Sequence, residues 1–123
     1  MLDLLQGRRR VGAVVNLAAP GGAATAVAIL TRSTFAGMVG TKNLILKRLK
    51  LRNNGAPNTW VHIGTGVGAG VDAIPPLYSV SNTPDDYAEG DLPQVEITAA
   101  AIVAWTDAIG VGSVDIQVEA EEV

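Results

Sequence analysis

The sequence predicts an all-β fold, a sandwich or jelly roll of six to eight short strands with an extended N-terminal arm. Three observations lead there. Several segments alternate apolar and polar residues, most cleanly "SVDIQVEAEEV" near the C-terminus. Turn signals rich in Gly, Pro and Asn separate those segments. No segment presents a long helical apolar stripe. The 123 residues suit one domain, and we divide them into an arm with a possible hairpin, residues 1–41, and a sandwich, residues 42–123.

Along the chain, "MLDLLQGRRR" reads as a short amphipathic piece or a loose arm. Two apolar runs then flank Pro20-Gly21-Gly22, which predicts a hairpin turn. The second run, Ala23 to Leu30, is read as strand, with helix as the alternative because Ala and Leu favour it. "STFAGMVGT" is a glycine-punctuated linker. In "KNLILKRLKLRNNG", Leu49 and Leu51 face one way and Arg48, Lys50 and Arg52 the other. The phase blurs at Leu44-Ile45-Leu46, which indicates burial on both faces or a bulge. Asn53-Asn54-Gly55 is a turn signal, since Asn and Gly tolerate positive φ. "NTWVHI" puts Trp60 and His62 on one face, Val61 and Ile63 on the other. Pro75-Pro76 precede a short strand, Leu77 to Val80, and "SNTPDDYAEGDLP" is a polar loop. "QVEIT" alternates with Val95 and Ile97 inward. "AAAIVAWTDA" continues as strand, with helix as its alternative. "IGVG" turns the chain into the last strand, where Val114, Ile116, Val118 and Ala120 share one face.

Composition bounds the function. The hydrophobic fraction of 48% is mostly Ala and Val, so each buried residue contributes little apolar area, and burial against partners adds what the core lacks. With no cysteine, disulfides and thiolate metal sites are excluded. No apolar run reaches the 18 residues of a spanning helix, and Asn16, Pro20 and Gly21-Gly22 interrupt the outline of an export signal. Charge is sharply divided: residues 1–52 hold all nine basic residues and one acid, residues 53–123 the other eleven acids. Either a basic strand lies beside acidic strands in one sheet, or one copy's basic end meets another's acidic end.

The stretch "WVHIGTGVGAG" satisfies the dinucleotide fingerprint G-x-G-x-x-G/A through Gly64, Gly66 and Ala69. That loop needs a helix directly after it, whose N-terminus holds the pyrophosphate. Only "VDAI" separates Gly70 from Pro75, so we expect no nucleotide and no other cofactor. The glycines are read instead as a flexible or tightly bent connection between strands, either a corner of the sandwich or an extended loop lying on a neighbouring subunit, since glycine lets another backbone approach closely.

Other candidates are sparse. His62 is the only histidine, and packing in a half-buried strand is its ordinary role. No G-x-S-x-G elbow accompanies it, so no catalytic residue is assigned and no enzyme is expected. Asp85, Asp86, Glu89 and Asp91 gather four carboxylates within seven residues, a composition calcium favours, though the spacing is not that of an EF-hand. A solvated acidic loop is the more common outcome, and no metal site is assigned; a lectin-like calcium module is the alternative function. Arg8, Arg9 and Arg10 lack interleaved aromatics for stacking bases, so an acidic protein surface suits them better than nucleic acid. With Lys47, Arg48, Lys50 and Arg52 they form the expected protein-interaction set. No nucleic-acid or membrane partner is expected.

The run from "KNLILKRLKLRNNG" through "PPLYSV", with "DLPQVEI" and "SVDIQVEAEEV", resembles in its layout the small β-sandwich virion proteins of tailed bacteriophages, in particular capsid decoration (cement) proteins. The resemblance covers residues 42–123. It implies a protein that clamps major capsid subunits, often as a homotrimer, found in the virion and in the host cytoplasm before assembly. It brings no catalytic residues, and a tail or neck structural component is the alternative within the same resemblance.

Overall fold

A computed structural model of the chain describes residues 10–18, 26–31, 43–66, 69–98, 101–107 and 109–122. The strands are β1 (Arg10–Ala18), β2 (Val27–Thr31), β3 (Leu44–Asn54), β4 (Thr59–Thr65), β5 (Val71–Asp72), β6 (Leu77–Ser79), β7 (Pro84–Tyr87), β8 (Glu96–Ile97), β9 (Ala101–Thr106) and β10 (Ser113–Glu122). A 3-10 turn, Glu89–Asp91, follows β7.

These strands form two antiparallel sheets, so the fold is the all-β sandwich the alternation predicts. Sheet I runs β1-β10-β3, and β7 and β8 pair with different halves of β3. Sheet II runs β2-β9-β4, and β5 and β6 divide β4 in the same way. The core lies between the layers. Leu49, Leu51, Val114, Ile116 and Val118 from sheet I close on Leu30, Val61, Ile63 and Ile102 from sheet II. Those of β3, β4 and β10 belong to the apolar phase of their strands, which is why period-two patterning located them, whereas β2 and β9 bury consecutive residues and show no such alternation.

The blurred phase in β3 is a bulge. Arg48 lies opposite Glu119 and Leu46 opposite Ala120, which leaves Lys47 as the extra residue. Leu46 and Lys47 are therefore both buried although adjacent. The Asn-Asn-Gly signal is a turn that the strand runs into. Asn53 Oδ1 accepts the Ala56 N–H at 2.8 Å, and Gly55 takes φ +76°.

Several expectations need correction. β1 and β2 form no hairpin: β1 pairs with β10 and β2 with β9, and the two touch only across the layers. β1 and β2 are the edge strands of different sheets, and Pro20-Gly21-Gly22 lies outside the described residues. Residues 10–18 and 26–31, assigned to the arm, are thus strands of the sandwich, with Leu17, Ile29 and Leu30 in the core. The loop at 81–93 contains β7, whose Pro and Asp residues weaken any strand signal; β3 supplies the ladder that makes it one. Val95 is exposed, because pairing at that segment is limited to Glu96 and Ile97. The helix alternatives for residues 27–30 and 101–106 are replaced by strand.

Candidate functional site

The outer face of sheet I explains the divided charge. The basic row of β3 (Arg48, Lys50, Arg52) lies between Glu119, Gln117 and Asp115 of β10 on one side and β7 on the other. Arg48 grips Asp86 with two bonds, Nη2 to Oδ2 at 2.8 Å and Nε to Oδ1 at 3.3 Å. That hydrogen bond, helped by the charges of Arg48 and Lys50, holds the Asp86 carboxyl below its ordinary range, and Asp86 raises Arg48 in turn. Asp115 ties three strands together: Asn16 of β1 donates to Oδ1 at 2.6 Å and Asn54 of β3 to Oδ2 at 2.8 Å. Opposite charges distant in sequence thus meet across ladders within one chain. A shallow groove of about 600 Å³ crosses this face, with Val14, Lys50, Arg52, Asp86 and Gln117 in its walls.

Of the other residues singled out by sequence, Lys47 is turned inward by the bulge. Its side chain is only 8% exposed, and Nζ donates to Glu89 Oε1 at 2.9 Å and Gln94 Oε1 at 3.0 Å. Three of the four acidic residues of the loop are drawn to different partners. Asp86 goes to Arg48, Glu89 to Lys47, and Asp91 Oδ2 accepts the Ala88 N–H at 3.0 Å. Among the described residues no three His, Asp or Glu side chains are gathered as metal ligands. Arg8 and Arg9 lie outside the described residues; Arg10 opens β1. Burial raises the Tyr87 hydroxyl above its ordinary value, with the charge of Asp85 adding to it.

The glycine-rich segment is the bend the sequence suggests. A Cβ on Gly64 would collide with the Val71 carbonyl oxygen, so β5 folds back in direct contact with the β4 backbone. A Cβ on Gly70 would collide with the Trp105 ring. Gly66 takes φ +88°, where a side chain is strained. Gly64 and Gly70 thus allow β5 to pair closely with β4 and the chain to pass directly over Trp105.

What it lies beside is a group the sequence did not assemble. His62 stacks on Trp105, its cross-strand neighbour, with ring centroids 4.9 Å apart and planes 5° from parallel. Its Nδ1 is 2.9 Å from Asp72 of β5, and its Nε2 is 3.1 Å from Asp107 just beyond β9. Both ring nitrogens are thus taken up by carboxylates. Next to it, Trp60 of β4 meets Tyr78 of β6 edge-on at 4.9 Å, and each is 45% exposed. Alternation placed Trp60 and His62 on one face. The arrival of Tyr78, Trp105 and two aspartates beside them depends on strand order, for which the sequence carries no local signal.

No family model matches the chain, and no curated protein does. Among solved structures the chain is similar to the coat protein dimer of Tobacco streak virus, at 13% identity over 96% of this chain and 88% of that one, with a TM-score of 0.45.

Proposed function

We propose that this protein is a structural component of a virus particle that bridges neighbouring shell subunits, a capsid decoration protein of the tailed-phage kind. It acts by burying surface against the major capsid protein and against copies of itself, and it performs no reaction. The observation that carries the reading is the outer face of sheet II. There Trp60 and Tyr78 stand half exposed on a rigid two-layer scaffold, beside a histidine held by two carboxylates. Large aromatic side chains on a firm surface are the usual anchors of protein interfaces. The polar groups nearest to catalytic types are committed to internal pairs that fix strand order: His62 to Asp72 and Asp107, Asp86 to Arg48.

A stable bridge buries more than about 1,000 Å² in total, more than two aromatic side chains supply. The residues ahead of β1, with Arg8 and Arg9, extend the contact toward an acidic subunit surface. The test mixes purified protein with undecorated particles and measures co-sedimentation. The W60A/Y78A double variant is expected to lose binding at least tenfold while keeping its far-ultraviolet spectrum and unfolding cooperativity. Normal decoration by that variant, or failure of the native protein to co-sediment, overturns the reading.

A further inference from the structure

Among the described residues six strands lie at sheet edges, and five are guarded by familiar devices. β5, β6 and β8 have two or three residues each. β7 has four, among them Pro84, Asp85 and Asp86. β2 has five and carries a register break between Ala28 and Leu30. The sixth, β1, has none of these. It runs nine residues, holds unbroken register against β10 from Arg10 opposite Glu121 to Ala18 opposite Ser113, and contains no proline and no charge after Arg10. Among the described residues β10 is its only strand partner, so its other edge presents a row of main-chain donors and acceptors. At its midpoint Val14 points outward, 68% exposed, on an otherwise polar sheet face. It is the most exposed large hydrophobic side chain among the described residues.

We propose that the free edge of β1 pairs antiparallel with β1 of a second copy about a two-fold axis through Val14, joining two copies of sheet I into one continuous sheet. The register follows from the faces. On β1, Gly12, Val14 and Asn16 are exposed while Leu17 is buried, and a one-residue slip would reverse that for the partner strand. Only registers that set like face against like face survive. Of these, the one centred on Val14 overlaps all nine residues and puts Val14 against its own mate, covering the exposed methyls. It also sets Gly12 opposite Asn16, Val11 opposite Leu17, and Ala13 opposite Val15. Symmetric self-pairing satisfies every free main-chain group on the edge without requiring any other partner. The inference stands apart from any role in a particle.

The chain has no cysteine, so V14C is a unique reporter. Directly opposed residues of an antiparallel pair have Cα atoms about 4.5–5.5 Å apart, inside the range a disulfide spans. The native protein is expected to sediment at twice the 12.7 kDa chain mass. V14C is expected to oxidise to a disulfide dimer at least tenfold faster than V111C, which puts the thiol at another exposed valine, outside β1. V14K sets two ammonium groups against each other at the centre of the edge, and should weaken the dimer at least tenfold with an unchanged circular dichroism spectrum. A native protein that stays at the single-chain mass at all concentrations, or that forms a three-fold ring, overturns the inference. So does V14C oxidising no faster than V111C, or V14K keeping the full dimer mass.

Discussion

Glycine positions decide whether the β5 segment can lie on β4. The Val71 carbonyl occupies the space a Cβ on Gly64 would need, and backbone cannot rotate away as a side-chain tip can. G64A is therefore expected to destabilise the fold by about 1–3 kcal/mol in urea unfolding. G90A, where nothing lies within 4 Å of the added methyl, should stay within about 0.5 kcal/mol of native. Equal effects would show that the close approach does not matter. A second residue-scale feature is the opposed pair Thr59 and Ser79, both buried, whose hydroxyls have no hydrogen-bond partner among the described residues. A buried hydroxyl without a partner costs desolvation and returns nothing. T59V keeps the shape and removes that cost, so it should be neutral or stabilising by up to about 1 kcal/mol in the same assay; a loss larger than 1 kcal/mol would mean the hydroxyl is satisfied.

Strands answer to their neighbours, and charge shows this most clearly. β3 is legible from sequence because leucines and basic residues alternate along it. β7 is not, since its Asp and Pro residues signal a loop until Lys50 stands opposite Asp86 and Arg48 reaches it diagonally. The exposed Arg48–Asp86 pair gives a pH signature with a definite sign. A carboxyl held low in the folded state adds stability above its ordinary range and loses that share as pH falls through its lowered value. The urea midpoint of the native protein should therefore exceed that of D86N near neutrality. The gap should narrow as pH drops through and below the carboxylate range, and high salt should shrink it at neutral pH. A gap that widens on acidification would contradict the pairing. The bulge was partly legible too. Its place showed as a broken phase at Leu44–Leu46, but that it buries Lys47 against Glu89 and Gln94 follows from a loop forty residues away.

At the scale of the molecule, the boundary between arm and sandwich moves toward the N-terminus. β1 covers one edge of β10 and β2 one edge of β9, so both belong to the layers they border. A chain lacking residues 1–9 retains every described strand and should unfold with native cooperativity. One lacking residues 1–18 loses β1, uncovers the main chain of β10 and removes Leu17 from the core, and it should be strongly destabilised or insoluble. Circular dichroism melts and the soluble yield of the two truncations check this, and equal behaviour would return β1 to the arm. If the shorter truncation also loses particle binding, Arg8 and Arg9 are the anchors that charge suggests.

Local patterning determined the layers: which face of β3, β4 and β10 is apolar, and where the Asn-Gly turn falls. Each rests on two to four neighbouring residues, and side-chain alternation and backbone freedom act over that range. Strand order, by contrast, was decided only in three dimensions. Pairing β1 with β10, β7 with β3, and Tyr78 with Trp60 joins segments 18 to more than 100 residues apart. Such pairings are selected by the summed burial of two faces and the cross-strand charges they bring together, quantities no single segment contains.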